Sequence, residues 1–359
     1  MKLITIATDW LVVSVRHGKL IHVYAFDDNS ESWLPKGEPI NVQFSSESGD
    51  YGVSLSSNGN VIAISDEKYD NFSGRVTIFV YNTDKRWDQI GNDIVGENVG
   101  MRLGLCVEIS ADGTSLAIGA PFYDTIHDYD VGQVQGYKYS RKNDLWIKKG
   151  RILDGEAEGD GSGYSVSMSR DGSIVAIGAP RNDGNGINSG HVRVYKYIND
   201  NEKWKQLGED IDGEASQDRS GESVAISGSG STVAIGAPFS FNGNRTGYVR
   251  VYGFNHTNAT WVQRGTDIDG EHEGDMFGFS VAMSDDGETI VVGAPCHDGN
   301  KKDTRHVLVF KYSTVDKDWV KQGAGFDGHK KNYIWVVLDQ YRETGQSLAL
   351  LVDSTRIET

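Results

Sequence analysis

The sequence predicts an all-β fold built from one four-stranded antiparallel unit repeated along the chain, and three observations predict it. A short apolar strand recurs at residues 11–15 (LVVSV), 61–65 (VIAIS), 116–119 (LAIG), 175–178 (VAIG), 233–236 (VAIG), 290–293 (IVVG) and 348–352 (LALLV). A tryptophan opens another strand in each interval, at Trp33, Trp87, Trp146, Trp204, Trp261 and Trp319, with spacings of 54, 59, 58, 57 and 58 residues. Glycine is abundant, 44 of 359 residues, proline is scarce at 6, and no long stretch has the spacing of an amphipathic helix.

Taken in order, the chain opens on MKLITIATDWLVVSV. Asp9 breaks its apolar run and no small-residue cleavage site follows, so it reads as the first hairpin of the repeat and not as a signal peptide. The unit is clearest from Gly163 to Gly213. YSVSMS is its first strand and IVAIGAP its second, joined by Arg170, Asp171 and Gly172; HVRVYKY follows a loop of Asn, Asp and Gly, and WKQLGEDI follows the turn INDNEK. Successive strands joined by short loops make an antiparallel meander. In GESVAISGSGSTVAIGAP, residues 221–238, the first hairpin is apolar at nearly every position instead of alternating, so neighbouring units must cover both of its faces. The tryptophan at one repeat position is expected to pack between adjacent outer strands, contributing about 2–3 kcal/mol by area.

Six units are complete; the last, from Tyr333, supplies a first hairpin and stops, with Leu351, Val352 and Asp353 in place of Gly-Ala-Pro. The prediction is one domain over residues 1–359 with seven blades, the C-terminal one incomplete, bounded near 1–45, 50–98, 102–156, 161–214, 219–271, 276–328 and 333–359. A chain cut from a longer one fits the same ending.

Leu103-Gly104, Ser162-Gly163, Ser220-Gly221 and Phe277-Gly278 each stand at a constant distance before a Gly-Ala-Pro, the last of these being Gly293-Ala294-Pro295. The pattern resembles the FG-GAP repeat of integrin alpha-subunit N-terminal domains and their relatives. The resemblance implies a seven-bladed β-propeller, non-enzymatic and of the adhesion type, that recognises a protein or glycan through loops on one face, at the cell surface or outside the cell. It also makes calcium possible, since several first hairpins of integrin-type repeats carry an Asp-rich calcium loop. The corresponding turns here, SSNGN, SADGTS, SRDGSI, SGSGST and SDDGET, are too short and hold too few carboxylates for a cation that takes about six to eight oxygens. No cofactor and no metal site are therefore expected, and the Asp-Gly pairs are read as turn chemistry. FG-GAP-like propellers also occur attached to hydrolases, which leaves an enzyme, or an enzyme-accessory or carbohydrate-binding propeller, as the alternative. Its mark would be a polar, convergent residue set at one end of the central channel.

Candidate ligand contacts lie in the loops after Gly-Ala-Pro, residues 122–131, 181–189, 239–246 and 296–305, which differ most between units. Phe122, Tyr123, Phe239 and Phe241 offer apolar contact, with Arg181 and His297 beside them. Asp183 shares a repeat position with Asp124 and Asp298 and is read first as a turn hydrogen bond, second as a ligand. The acidic motifs holding Asp154, Glu156, Asp212, Glu214, Asp269 and Glu271 lie at the crossings between units on the same face. They are expected to cap backbone N–H groups of their own turns, the other reading being capture of a cation or a basic partner. No catalytic residue is assigned: the nine histidines lack paired ligand spacing, no P-loop occurs, and the G-x-S-V runs at Gly163, Gly221 and Gly278 lack the second glycine of a nucleophile elbow.

A net charge of −16 and a pI near 5.0 argue against a nucleic-acid or anionic-membrane partner. No run approaches the ~20 apolar residues of a membrane helix. The two cysteines, Cys106 and Cys296, sit at different repeat positions and are expected as free thiols, one of them buried, in a monomeric chain. Sequons at Asn71, Asn244, Asn255 and Asn258 suit a secreted protein but are close to the about three that composition would produce by chance, so they do not fix a compartment.

Overall fold

A computed structural model describes residues 4–7, 12–17, 19–45, 52–125, 128–240, 246–296, 306–327, 333–335 and 351–353. Six five-stranded antiparallel sheets follow one another along the chain, and Tyr333–Trp335 pairs with Leu351–Asp353 in a last, two-stranded one. The sheets are numbered below in chain order. The fourth shows the plan: Ser165–Met168, Ile174–Ala179, His191–Ile198 and Lys203–Gln206 pair in sequence, each antiparallel to the next.

The expected four strands become five because the stretch WKQLGEDI is not one strand. Its tail, Ile211–Asp212, pairs separately with the start of the third strand, placing Asp212 opposite His191. The break falls at Gly208, where φ is +80° and a Cβ would stand 2.8 Å from the Trp261 ring of the next sheet. Only glycine fits such a left-handed, crowded position.

Second strands are buried at every position, as SLAIGA, IVAIGA, TVAIGA and TIVVGA, because the neighbouring sheets cover both faces. One core cluster joins Ala117 and Val134 of the third sheet to Val166, Val175, Tyr195 and Trp204 of the fourth. The tryptophans bridge outer strands as expected, and those of the second to sixth sheets add a polar tie. Indole N–H groups of Trp87, Trp204, Trp261 and Trp319 donate to carbonyls of Lys36, Lys149, Leu207 and Arg264 in the preceding sheet, all at 2.7 Å.

First strands of successive sheets pack against one another around the axis, and the two ends of that axis differ. At one end the hairpin turns form a chain of backbone hydrogen bonds: Ser57 N–H to Ala111 O (3.0 Å), Ala111 to Arg170 (3.0 Å), Arg170 to Gly228 (2.9 Å) and Gly228 to Asp285 (3.0 Å). The Arg170–Asp285 ion pair reinforces that end. Asp112 and Asp171 accept the N–H groups of Thr114 and Ser173 at 2.9 Å, the turn chemistry read from the sequence.

The other end carries the Gly-Ala-Pro loops and the crossings between sheets. Here the repeat motif has a steric cause. The N–H of Gly221 donates to Gly236 O of its own sheet. The Gly221 carbonyl meanwhile lies 2.1 Å from where a Cβ on Gly178 of the preceding sheet would stand. Glycine at both motif positions is what lets adjacent sheets approach this closely. No helix among the described residues is long and apolar enough to cross a membrane.

Candidate functional site

At the Gly-Ala-Pro end, each first strand is entered through a tight turn: Leu105, Tyr164, Glu222 and Phe279 donate their N–H to carbonyls of Arg102, Gly161, Arg219 and Met276, each at 3.1 Å. Arg102, Arg219 and Met276 take φ values of 49°, 53° and 56°. That left-handed geometry costs an L-residue on the order of 1 kcal/mol. The turns set one side chain from each of these four sheets at the start of its first strand, at the Gly-Ala-Pro end of the axis.

In the fourth and fifth sheets those side chains are Tyr164 and Glu222, and they pair. Glu222 is buried, and burial pushes its carboxyl above the usual range against the opposing pull of the Tyr164 hydroxyl and the charges of Arg219 and Arg181. Burial, followed by the Glu222 charge, pushes the Tyr164 phenol up to about 12, so it keeps its proton at neutral pH. Aromatic rings support the arginines. Arg181 lies 5.5 Å over Phe122, with Arg102 4.8 Å from the same ring, and Arg219 lies 4.6 Å over Phe239. Arg102 is also paired with the buried Glu67 at 3.6 Å.

Of the residues singled out from sequence, Phe122, Arg181 and Phe239 therefore stand together in this arc. Tyr123 does not; it packs on the core between the second and third sheets. Asp183 accepts the Asn188 N–H at 2.7 Å, as Asp124 accepts that of Asp130 at 2.8 Å, so both serve their own loops. Phe241, His297 and Asp298 lie outside the described residues. Sequence reasoning missed Tyr164, Arg219, Glu222 and Arg102. Its one available signal was the position after the first motif glycine, which reads Leu, Tyr, Glu and Phe in four otherwise similar units.

The acidic crossings need a correction. Glu156 and Glu214 pair with Arg193 and Arg250 of the following sheet, which also hold Asp210 and Asp267. Glu97 and Glu271 likewise reach Lys148 (2.7 Å) and Lys321 (2.6 Å). A glutamate is long enough to span the gap between sheets. The turn is capped instead by the aspartate four residues on: Asp160, Asp218 and Asp275, all buried, accept the N–H of Ala157, Ala215 and His272 at 3.0, 3.0 and 2.9 Å.

Ligand atoms of Glu156, His191 and Asp210 lie within 4.8 Å of one another, a spacing that could hold a metal ion. The Arg193 guanidinium, however, already pairs with both carboxylates, and the same clasp forms around Arg250, where Tyr248 stands at the position of His191. Burial also holds the His191 imidazole below its ordinary range, against the pull of Asp210, Asp160 and Asp212. The cluster is accounted for as a tie between sheets.

The FG-GAP repeat model matches residues 149–195 and 262–310. No curated protein matches the sequence. Among solved structures, the periplasmic gluconolactonase of Pseudomonas aeruginosa is similar with a TM-score of 0.56 and 15% identity, over 89% of this chain and 81% of that one. The hydrazine synthase of Kuenenia stuttgartiensis is similar with a TM-score of 0.54 and 11% identity, over 87% and 76%. At such identities the likeness is one of fold. It nevertheless overturns the expectation of a non-enzymatic, adhesion-type propeller, because that expectation rested on the fold resemblance and the solved neighbours of this fold are named as enzymes. The chain thus carries FG-GAP repeats at two places in an all-β fold of successive antiparallel sheets, consistent with an FG-GAP β-propeller.

Proposed function

We propose that this propeller is an enzyme of the hydrolase class whose reaction centre is the channel mouth, acting on a lactone or similarly activated small ester. The observation that carries the reading is the buried Glu222–Tyr164 pair under Arg181 and Arg219. A carboxylate made more basic by burial is suited to take a proton from water as that water attacks a carbonyl carbon. Guanidinium groups and a phenol that stays protonated are suited to hold the oxyanion that then forms. When the ring C–O bond breaks, the proton held by Glu222 passes to the departing oxygen, leaving a hydroxy acid. The neighbour named as a gluconolactonase supports a lactone as the first substrate to try.

Lactone opening is followed by acid release in a pH-stat, with δ-gluconolactone and a panel of simple lactones. Glu222→Gln is expected to lower kcat by about 10²–10⁴, the usual contribution of a positioned base. Wild-type protein that opens none of the panel faster than buffer alone would overturn the reading.

A further inference from the structure

We propose that the mouth recognises a small organic acid: a ligand whose carboxylate is held by Arg181 and Arg219 while its carbon skeleton lies against Phe122 and Phe239. The inference deepens the reading of the mouth as a reaction centre by naming the class of molecule it admits.

Charge accounting is the first argument. The chain carries −16, and several of its arginines are committed: Arg170, Arg193, Arg250 and Arg264 each hold a carboxylate. Among the described residues, Arg181 and Arg219 form no such ion pair. Of the nearby carboxyls, Glu67 is already paired with Arg102, and Glu222, which feels the charge of both arginines, sets one negative charge against two positive ones. Two uncommitted cations thus converge at the open end of an otherwise acidic molecule, a field that draws in a small anion.

Geometry is the second. Each guanidinium rests on an aromatic face, Arg181 on Phe122 and Arg219 on Phe239. Cation–π attraction to a ring does not use the guanidinium N–H groups, and their edge matches a carboxylate in two parallel hydrogen bonds. A cation would be repelled, and a neutral lactone would match both charges only once opened to its acid.

Titration calorimetry with gluconate, glucose and inorganic phosphate tests this without any turnover. Gluconate is expected to bind, more weakly as salt rises, and glucose is not. Arg181→Gln and Arg219→Gln should each weaken gluconate by about tenfold or more, and the exposed Arg86→Gln should not. Circular dichroism checks that the variants are folded; should one unfold, the salt titration of wild-type protein carries the test. Glucose binding as tight as gluconate, gluconate binding insensitive to salt, or arginine variants that bind unchanged would overturn the proposal. Preference for phosphate over gluconate would overturn the carboxylate assignment. Gluconate binding without lactone opening would leave this inference standing and remove the hydrolase; opening of neutral lactones with no preference for gluconate would do the reverse.

Discussion

Glu222 shows most sharply how function at one residue opposes stability. Its folded-state proton affinity is raised by burial, so the folded chain binds that proton more tightly than the unfolded chain does. Stability therefore falls as pH rises from the ordinary glutamate range through the folded value, and stays lower above it. Glu222→Gln removes the ionisation and is expected to be more stable at pH 7, by about 0.5–2 kcal/mol in urea denaturation, while losing hydrolysis. An unchanged or lowered midpoint would contradict the assignment of a buried, strained carboxyl. The same shift predicts that kcat/KM rises with pH through the raised Glu222 value, because the base must be ionised to act; a rate that falls over that interval would assign Glu222 as an acid instead.

Among the elements, the outer strand of each sheet depends on its tryptophan. Trp204 is buried, lies 5.2 Å from the Tyr197 ring, and donates to Lys149 O of the preceding sheet. Trp204→Phe keeps most of the apolar area but leaves that carbonyl without its donor. It is expected to cost about 1–3 kcal/mol, against about 3–5 kcal/mol for Trp204→Ala, which also opens a cavity. Equal losses for the two variants would mean that the indole N–H carries the contact and its area does not. The period of the tryptophans was legible in the sequence. Their hydrogen bonds were not, because the acceptors are backbone carbonyls some 50 residues away, at Lys36, Lys149, Leu207 and Arg264.

For the molecule as a whole, the hairpin turns join at one end of the axis through backbone hydrogen bonds, and the arginines and aromatic rings gather at the other. The carboxylates of Asp112 and Asp171 at the first end are taken up by their own turns. Folding is accordingly expected not to depend on calcium: the melting temperature should be the same with and without chelator, and a drop of several degrees would place an ion in the fold. Between these ends, the Glu156–Arg193–Asp210 and Glu214–Arg250–Asp267 clasps bind sheet to sheet. They occupy Glu156 and Glu214, two of the acidic residues that, read from sequence, had a cation or a basic partner as their other reading.

By itself the sequence determined the all-β class, the repeat and the tight glycine turns, because those follow from the order of apolar, turn and glycine residues within some 58 positions. Phe122, Arg181 and Phe239 were legible as contact candidates because they follow Gly-Ala-Pro in loops that vary. Tertiary structure alone decided the site. Arg102, Tyr164, Arg181, Arg219 and Glu222 come from three sheets and meet only where first strands close around the axis. A repeat fixes each residue's place within its own sheet, whereas the partners that shift the Glu222 carboxyl and leave Arg181 and Arg219 uncommitted are set by how neighbouring sheets pack.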